Sequence, residues 1–230
     1  TDADGDTLTY TLSTAAAKGT VTLNADGSYS YQPNADFNGS DSFTFKVNDG
    51  ARDSNTSTVT ITTTEVNDAP LATDDAANTD EDTNLQITAS DLTTNDSAGP
   101  ANENAQVLTV TSVSATADTH GSVSLSSGTI TYSPDQNYNG PASFTYQVCD
   151  NGTTNGAADP LCATATVNVT VSSVNDAPTL NAIANQTTVV GANLSFTGVG
   201  SDIDLPPQTL SYSLSGAVPS GATINSSSGV

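Results

Sequence analysis

The 230-residue sequence sets 25 acidic residues against 3 basic ones, a formal charge of −22 at pH 7, and contains neither Met nor Trp. So acidic a chain repels nucleic acid and anionic membrane surfaces, which excludes both as partners. No apolar run is long enough to cross a bilayer, so this segment is expected not to insert into a membrane, and no signal peptide is visible.

Strands are marked by period-two alternation, with β-branched and aromatic residues on one face. The alternation runs through Leu8, Tyr10 and Leu12, then Val21 and Leu23, Tyr29 and Tyr31, Phe43, Phe45 and Val47, and Val59 and Ile61. It continues with seven predicted strands at 71–73, 84–89, 107–115, 122–125, 128–132, 143–149 and 162–171, and returns at Leu210, Tyr212 and Leu214. Turn clusters such as Asn24-Ala25-Asp26-Gly27 and Ser126-Ser127-Gly128 separate the strands and suit short hairpins. No window shows helical periodicity. This strict patterning argues against disorder, the alternative for an acidic chain rich in Thr, Ser, Asn and Gly. Short antiparallel strands with one wet face make β-sandwiches, and the 5% aromatic content implies thin cores.

The chain repeats itself. Residues 31–47, YQPNADFNGSDSFTFKV, match residues 132–148, YSPDQNYNGPASFTYQV, at a constant offset of 101. Val-Asn-Asp-Ala-Pro stands at 66–70 and again at 174–178, now 108 apart, so seven extra residues fall between Asp150 and Val174. A period near 100 residues is a whole domain. The divisions expected are 1–66, which begins at a third strand, 67–174, and 175–230, which holds first to third strands. The chain opens and closes inside motifs, and we expect it to be a segment of something longer. The Pro-Asn-x-x-Phe/Tyr-Asn-Gly pattern around Phe37 and Tyr138 resembles the aromatic corner plug of sandwich domains, a structural role.

Residues 43–70, FTFKVNDGARDSNTSTVTITTTEVNDAP, resemble the end of a cadherin repeat, where the last strand runs into an Asp-x-Asn-Asp-x-Ala-Pro linker. Thr1-Asp2-Ala3-Asp4-Gly5-Asp6 and Ser201-Asp202-Ile203-Asp204 resemble the family's Asp-x-Asp loop. The whole chain is similar to the cadherin-like tandem repeats of large bacterial surface proteins and adhesins. Its third unit is closest to the dystroglycan-type subgroup, by LSYSLSGAVPSGATINSSSGV at 210–230. The resemblance implies tandem seven-stranded Greek-key β-sandwiches in an elongated array, extracellular on a bacterial cell. It also implies Ca²⁺ at the joints, which suits a cation that takes six to eight oxygen ligands.

The positions matching the motifs are Asn67 and Asp68 at the first joint, with Glu81 from the following repeat and Asp91 and Asp96 as further candidates. At the second joint they are Asn175 and Asp176 with Asp202 and Asp204. Asp49 and Asp150 match the acid serving the joint before their own repeat, which places Asp49 beside Asp2 and Asp4. The second repeat lacks a clean Asp-x-Asp, and the third lacks an acid in its first strand, so fewer or weaker ions are expected than at a vertebrate joint. The alternative is that these acids are solvated loop charges that keep the protein soluble.

Cys149 and Cys162 flank the insertion on neighbouring strands; a disulfide is expected, with free thiols as the alternative. Catalysis finds no support. His120, the one histidine, lacks a nucleophile or metal partner at a telling spacing, and no phosphate-binding glycine loop or nonapeptide repeat is present. The sequons at Asn38, Asn151 and Asn193 follow from composition. The reading is a non-enzymatic stalk or fibre segment of a bacterial adhesin, with Ca²⁺-rigidified joints and the neighbouring repeats as partners. The alternatives are a carbohydrate- or protein-binding module, and a filament subunit in which the tail of one copy completes the head of the next.

Overall fold

The computed structural model describes residues 5–230. Asp2 and Asp4 lie outside the described residues, and so does their expected meeting with Asp49. Before the first Asn-Asp-Ala-Pro the strands are β1 (Thr9–Thr14), β2 (Gly19–Leu23), β3 (Tyr29–Pro33), β4 (Gly39–Asn48) and β5 (Ser57–Thr63). Next come β6 (Asp75–Asp80), β7 (Leu85–Thr88), β8 (Thr109–Ala115), β9 (Gly121–Ser126), β10 (Thr129–Pro134) and β11 (Gly140–Cys149). They are followed by β12 (Thr153–Thr154), β13 (Ala157–Ala158) and β14 (Cys162–Ser172), and lastly by β15 (Thr179–Leu180) and β16 (Gly200–Ser201). The chain is essentially all-β, with sandwich-like sheets.

Repeated sequence gives repeated pairing. β1-β4-β5 form one sheet and β2-β3 a hairpin; the later copy has β6-β14-β11-β8 and β7-β10-β9. Two hairpins turn in two residues, Ser127-Gly128 with φ of 49° and 78° and Asn155-Gly156 with φ of 52° and 77°. Both central residues of such a turn need positive φ, which Gly adopts freely and Asn tolerates. Cys149, at the end of β11, and Cys162, at the start of β14, form a disulfide that closes the β12–β13 hairpin.

Two compact units are distinguished. The first comprises the residues up to Thr73 with Thr88–Ser112 and Tyr146–Ala165. Its apolar interior includes Phe43, Leu92, Val110, Tyr146 and Val148, with Tyr29 edge-on to Phe43 at 5.1 Å. The second comprises Asp74–Ile87, Val113–Thr145 and Thr166–Val230. Ile130, Tyr132, Phe144 and Val167 are wholly buried there, with the Tyr132 and Phe144 rings 6.1 Å apart. The Tyr132 hydroxyl donates to the Thr119 carbonyl at 2.8 Å, so the buried phenol keeps a partner.

Three local expectations change. The strand expected at 71–73 is a single bridge between Leu71 and Ser97. The edge strand is β6 instead, parallel to β14 from Val167↔Asp75 to Ser172↔Asp80. Its sequence, DAANTD, carries no β-branched apolar residue; the ladder holds it, and no side-chain pattern announces it. The alternation at Leu210, Tyr212 and Leu214 belongs to no ladder among the described residues, although the Tyr212 amide donates to the Ser226 carbonyl. Alternation marks a face, whereas a strand also needs a paired backbone. Finally, a 3₁₀ turn stands at Ala101–Glu103, where no helical periodicity is visible in the sequence.

Candidate metal centre

At the first linker, the last residues after β5 bring Asn67 and Asp68 against two acids. Asn67 is 6% exposed; its Nδ2 donates to Asp150 Oδ1 and to the Asp159 carbonyl, each at 2.9 Å. Its Oδ1 accepts from Gln106 Nε2 at 2.8 Å, and the Asp68 amide donates to Glu103 Oε1 at 3.0 Å. The 3₁₀ turn makes this possible. Glu103 N bonds to Pro100 O and Gln106 N to Glu103 O, and a three-residue spacing in such a turn puts both side chains on one side.

Asp150 Oδ1 also accepts from the amides of Gly152 and Leu161, at 3.0 and 3.1 Å. Asp150 Oδ2, Glu103 Oε2 and Gln106 Oε1 are buried with no hydrogen-bond partner. Glycine makes the room: a Cβ on Gly152 would lie 1.6 Å from Asn67 Oδ1, and one on Gly99 2.1 Å from Glu103 Oε2. A cleft of about 240 Å³ opens here between Glu65, Glu103, Gln106 and Gly152.

The second linker, after β14, repeats the arrangement with other residues. The Asp176 amide donates to Asp204 Oδ1 at 3.0 Å, as Asp68 does to Glu103. Gln208 Nε2 donates to Asn175 Oδ1 at 2.7 Å, as Gln106 does to Asn67, and to Asp204 Oδ2 at 2.9 Å. Asp202 Oδ1 accepts from the Asp204 amide at 3.0 Å.

Glu81 is here too. Its Oε1 accepts from the Val174 amide at 2.6 Å and its Oε2 from Asn139 Nδ2 at 3.3 Å. The motif match places Glu81 at the first joint. The parallel register Asp80↔Ser172 carries it to the end of β14, hence to the second linker. Asp82 Oδ1 accepts from the Asn137 amide; the Asn137 side chain, oriented to satisfy both acids, reaches Asp82 Oδ2 and Asp176 Oδ2 at 3.2 Å each. Burial raises the Asp176 pKa above its ordinary value of 3.8, and the charges of Asp204, Asp82, Glu81 and Asp202 push the same way.

The other expected residues lie elsewhere. Asp96 Oδ1 accepts from the Thr73 amide at 2.7 Å and faces the buried Tyr146 hydroxyl, and Asp91 sits in the turn after β7. Neither shares a hydrogen bond with Asn67 or Asp68. Asp49 Oδ1 accepts from the Ala51 and Arg52 amides, and those bonds lower its pKa. His120 is exposed, its ring stacked on Tyr138 at 4.3 Å. Among the described residues no three His, Cys, Asp or Glu side chains are gathered as a metal cluster. The oxygens converging here include amide as well as carboxylate groups. Glu65, Glu103, Gln106 and Gln208 were missed in the sequence. The usable signal was an acid followed by Gln three or four residues later, Glu103…Gln106 and Asp204…Gln208.

Residues 1–65 match the model of a bacterial cadherin-like domain, and residues 66–172 that of a cadherin-like domain. The chain belongs to the cadherin-like repeat family. Domains of this family are extracellular, of adhesion type, and typically non-enzymatic and calcium-binding. No curated protein matches the chain. Among solved structures, the cadherin-like chain is similar to the protocadherin GammaB4 extracellular domain, at 18% identity and TM-score 0.54 over 97% of this chain and 39% of that one. It is also similar to protocadherin Gamma B2 extracellular cadherin domains 3-6, at 15% and 0.51 over 97% and 59%. It thus spans less than two thirds of either, and at such identities the likeness concerns the fold.

Proposed function

We propose that this cadherin-like chain is a stalk segment of a bacterial surface adhesin, divided at 66/67 and 174/175, whose linkers bind Ca²⁺. The observation that carries the reading is the pair of buried, unpartnered carboxylate oxygens, Glu103 Oε2 and Asp150 Oδ2, beside Asn67 and Asp68. Leaving such groups unmatched is unfavourable, and a hard cation that prefers carboxylate and carbonyl oxygens suits them. The raised pKa of Asp176 supports the same reading at the second linker.

Glu103, Asp150, Asn67 and Asp68 would hold the ion at the first linker, and Asp176, Asp204, Asp202, Glu81 and Asp82 at the second. The cation would supply positive charge that offsets carboxylate repulsion. The chain's own contribution is to position the oxygens: Gln106 and Gln208 orient the linker amides, and Glu103 and Asp204 fix the backbone. The test is calcium titration by calorimetry, with small-angle scattering and melting followed with and without chelator. Binding should raise the melting temperature, by about 2.7 kcal/mol of stabilisation at a hundredfold excess over Kd. Unchanged heat, shape and melting in excess chelator and in calcium would refute the reading.

A further inference from the structure

We infer that the disulfide-closed β12–β13 hairpin is a clasp that holds the first linker without any cation. The hairpin occupies the seven-residue insertion, which the earlier copy lacks. Its contacts run to the linker and not only to its own sheet. The Asn155 amide at the turn donates to the Glu65 carbonyl at 3.0 Å, and the Thr153 hydroxyl donates to Glu65 Oε1. The Asn67 amide donates to Thr154 Oγ1 at 2.9 Å, and that hydroxyl in turn donates to Asp159 Oδ2 at 2.7 Å. Asn67 Nδ2 reaches the Asp159 carbonyl as well. Two backbone amides, two hydroxyls and one carboxamide thus tie Glu65 and Asn67 to one short hairpin.

The hairpin is itself held at both ends. Asp159 N bonds back to Gly152 O at 3.0 Å across its mouth, and Cys149–Cys162 covalently fixes its base. Opening that base frees the loop that carries four linker hydrogen bonds, although neither cysteine touches the linker in any of them. The clasp is made of protein groups alone, so it persists where calcium is absent. It also goes beyond the calcium reading, since either could hold without the other.

Amide hydrogen exchange at Asn67 and Asn155 tests it, in excess chelator, on the oxidised full chain, the C149S/C162S variant and the T154V variant. Both amides should be protected in the oxidised chain. C149S/C162S should speed both by roughly tenfold, the loss of about one net hydrogen bond, while the Tyr132 amide in β10 reports that the sandwich persists. T154V keeps the disulfide and leaves the Asn155–Glu65 bond in place, yet should speed exchange at Asn155 because the linker is held as a unit. If C149S/C162S unfolds, T154V decides alone. Linker amides unprotected in chelator, or an Asn155 rate unmoved by T154V, would overturn the clasp. Calcium binding measured on the same samples reports on the proposed function separately.

Discussion

Asp41 is 7% exposed and accepts four hydrogen bonds, from the amides of Ala17, Lys18 and Ser42 and from the Tyr31 hydroxyl. Burial alone would raise its pKa, but the donated bonds outweigh it and leave the value below 3.8. The later copy meets the same need without a charge. Ala142 replaces Asp41, and Thr119 ties the turn to the Ser143 carbonyl at 2.8 Å. A depressed acid pKa contributes stability that is fully present above the unfolded value near 3.8 and lost as pH falls through the lower folded value. Asp41→Asn should therefore destabilise the chain at neutral pH and flatten its acid unfolding below about pH 4, followed by circular dichroism. An acid limb identical to the parent's would show that Asp41 carries no such linkage.

Among the elements, the linker sites depend on glycines as much as on acids. Gly152 has no room for a side chain, because an added methyl meets Asn67 Oδ1, Cγ and Nδ2 within 2.6 Å. Gly152→Ala should displace Asn67 and weaken one of two calcium-binding steps by about tenfold, the usual size of such an orienting effect, while the other step is unchanged. Calorimetry resolves the two, and equal weakening of both would contradict the assignment. Strands were legible where β-branched and aromatic residues alternate in a paired segment, as in β4, β11 and β14, but not at Leu210, Tyr212 and Leu214, which alternate without a ladder. β6 was not legible, since Asp75–Asp80 (DAANTD) offers no aromatic or β-branched apolar residue and is held by its register with β14. The same register moved Glu81 from one linker to the other. Glu103 was illegible for a different reason. It stands 35 residues from Asp68 in no Asp-x-Asp pattern, and only the 3₁₀ turn brings the two together. Asp150 and Asp204 were legible because a short motif fixes each beside its strand or loop.

For the molecule as a whole, the charge of −22 means that any salt acts on it, so a specific ion must be told from screening. Asp176 offers the discriminating signal. Its pKa is raised, so its charge destabilises the fold progressively as pH climbs from its ordinary value of 3.8 through the folded value. In chelator, the Asp176 carboxyl should titrate above its usual range by carbon-detected NMR. Calcium should move that titration below the usual range, whereas sodium chloride at equal ionic strength should only lessen the shift. Equal responses to both salts would mean screening without a site.

β6 begins just after the first linker and β14 ends just before the second, and the two run parallel through six paired positions, Val167↔Asp75 to Ser172↔Asp80. A load that pulls the two linkers apart therefore grips the pair at opposite ends. Tension slides the strands lengthwise past each other and strains every rung at once, instead of peeling the rungs away singly. Resistance to stretching in this repeat thus resides in a ladder of backbone bonds, built by a strand whose side chains are short and mostly polar.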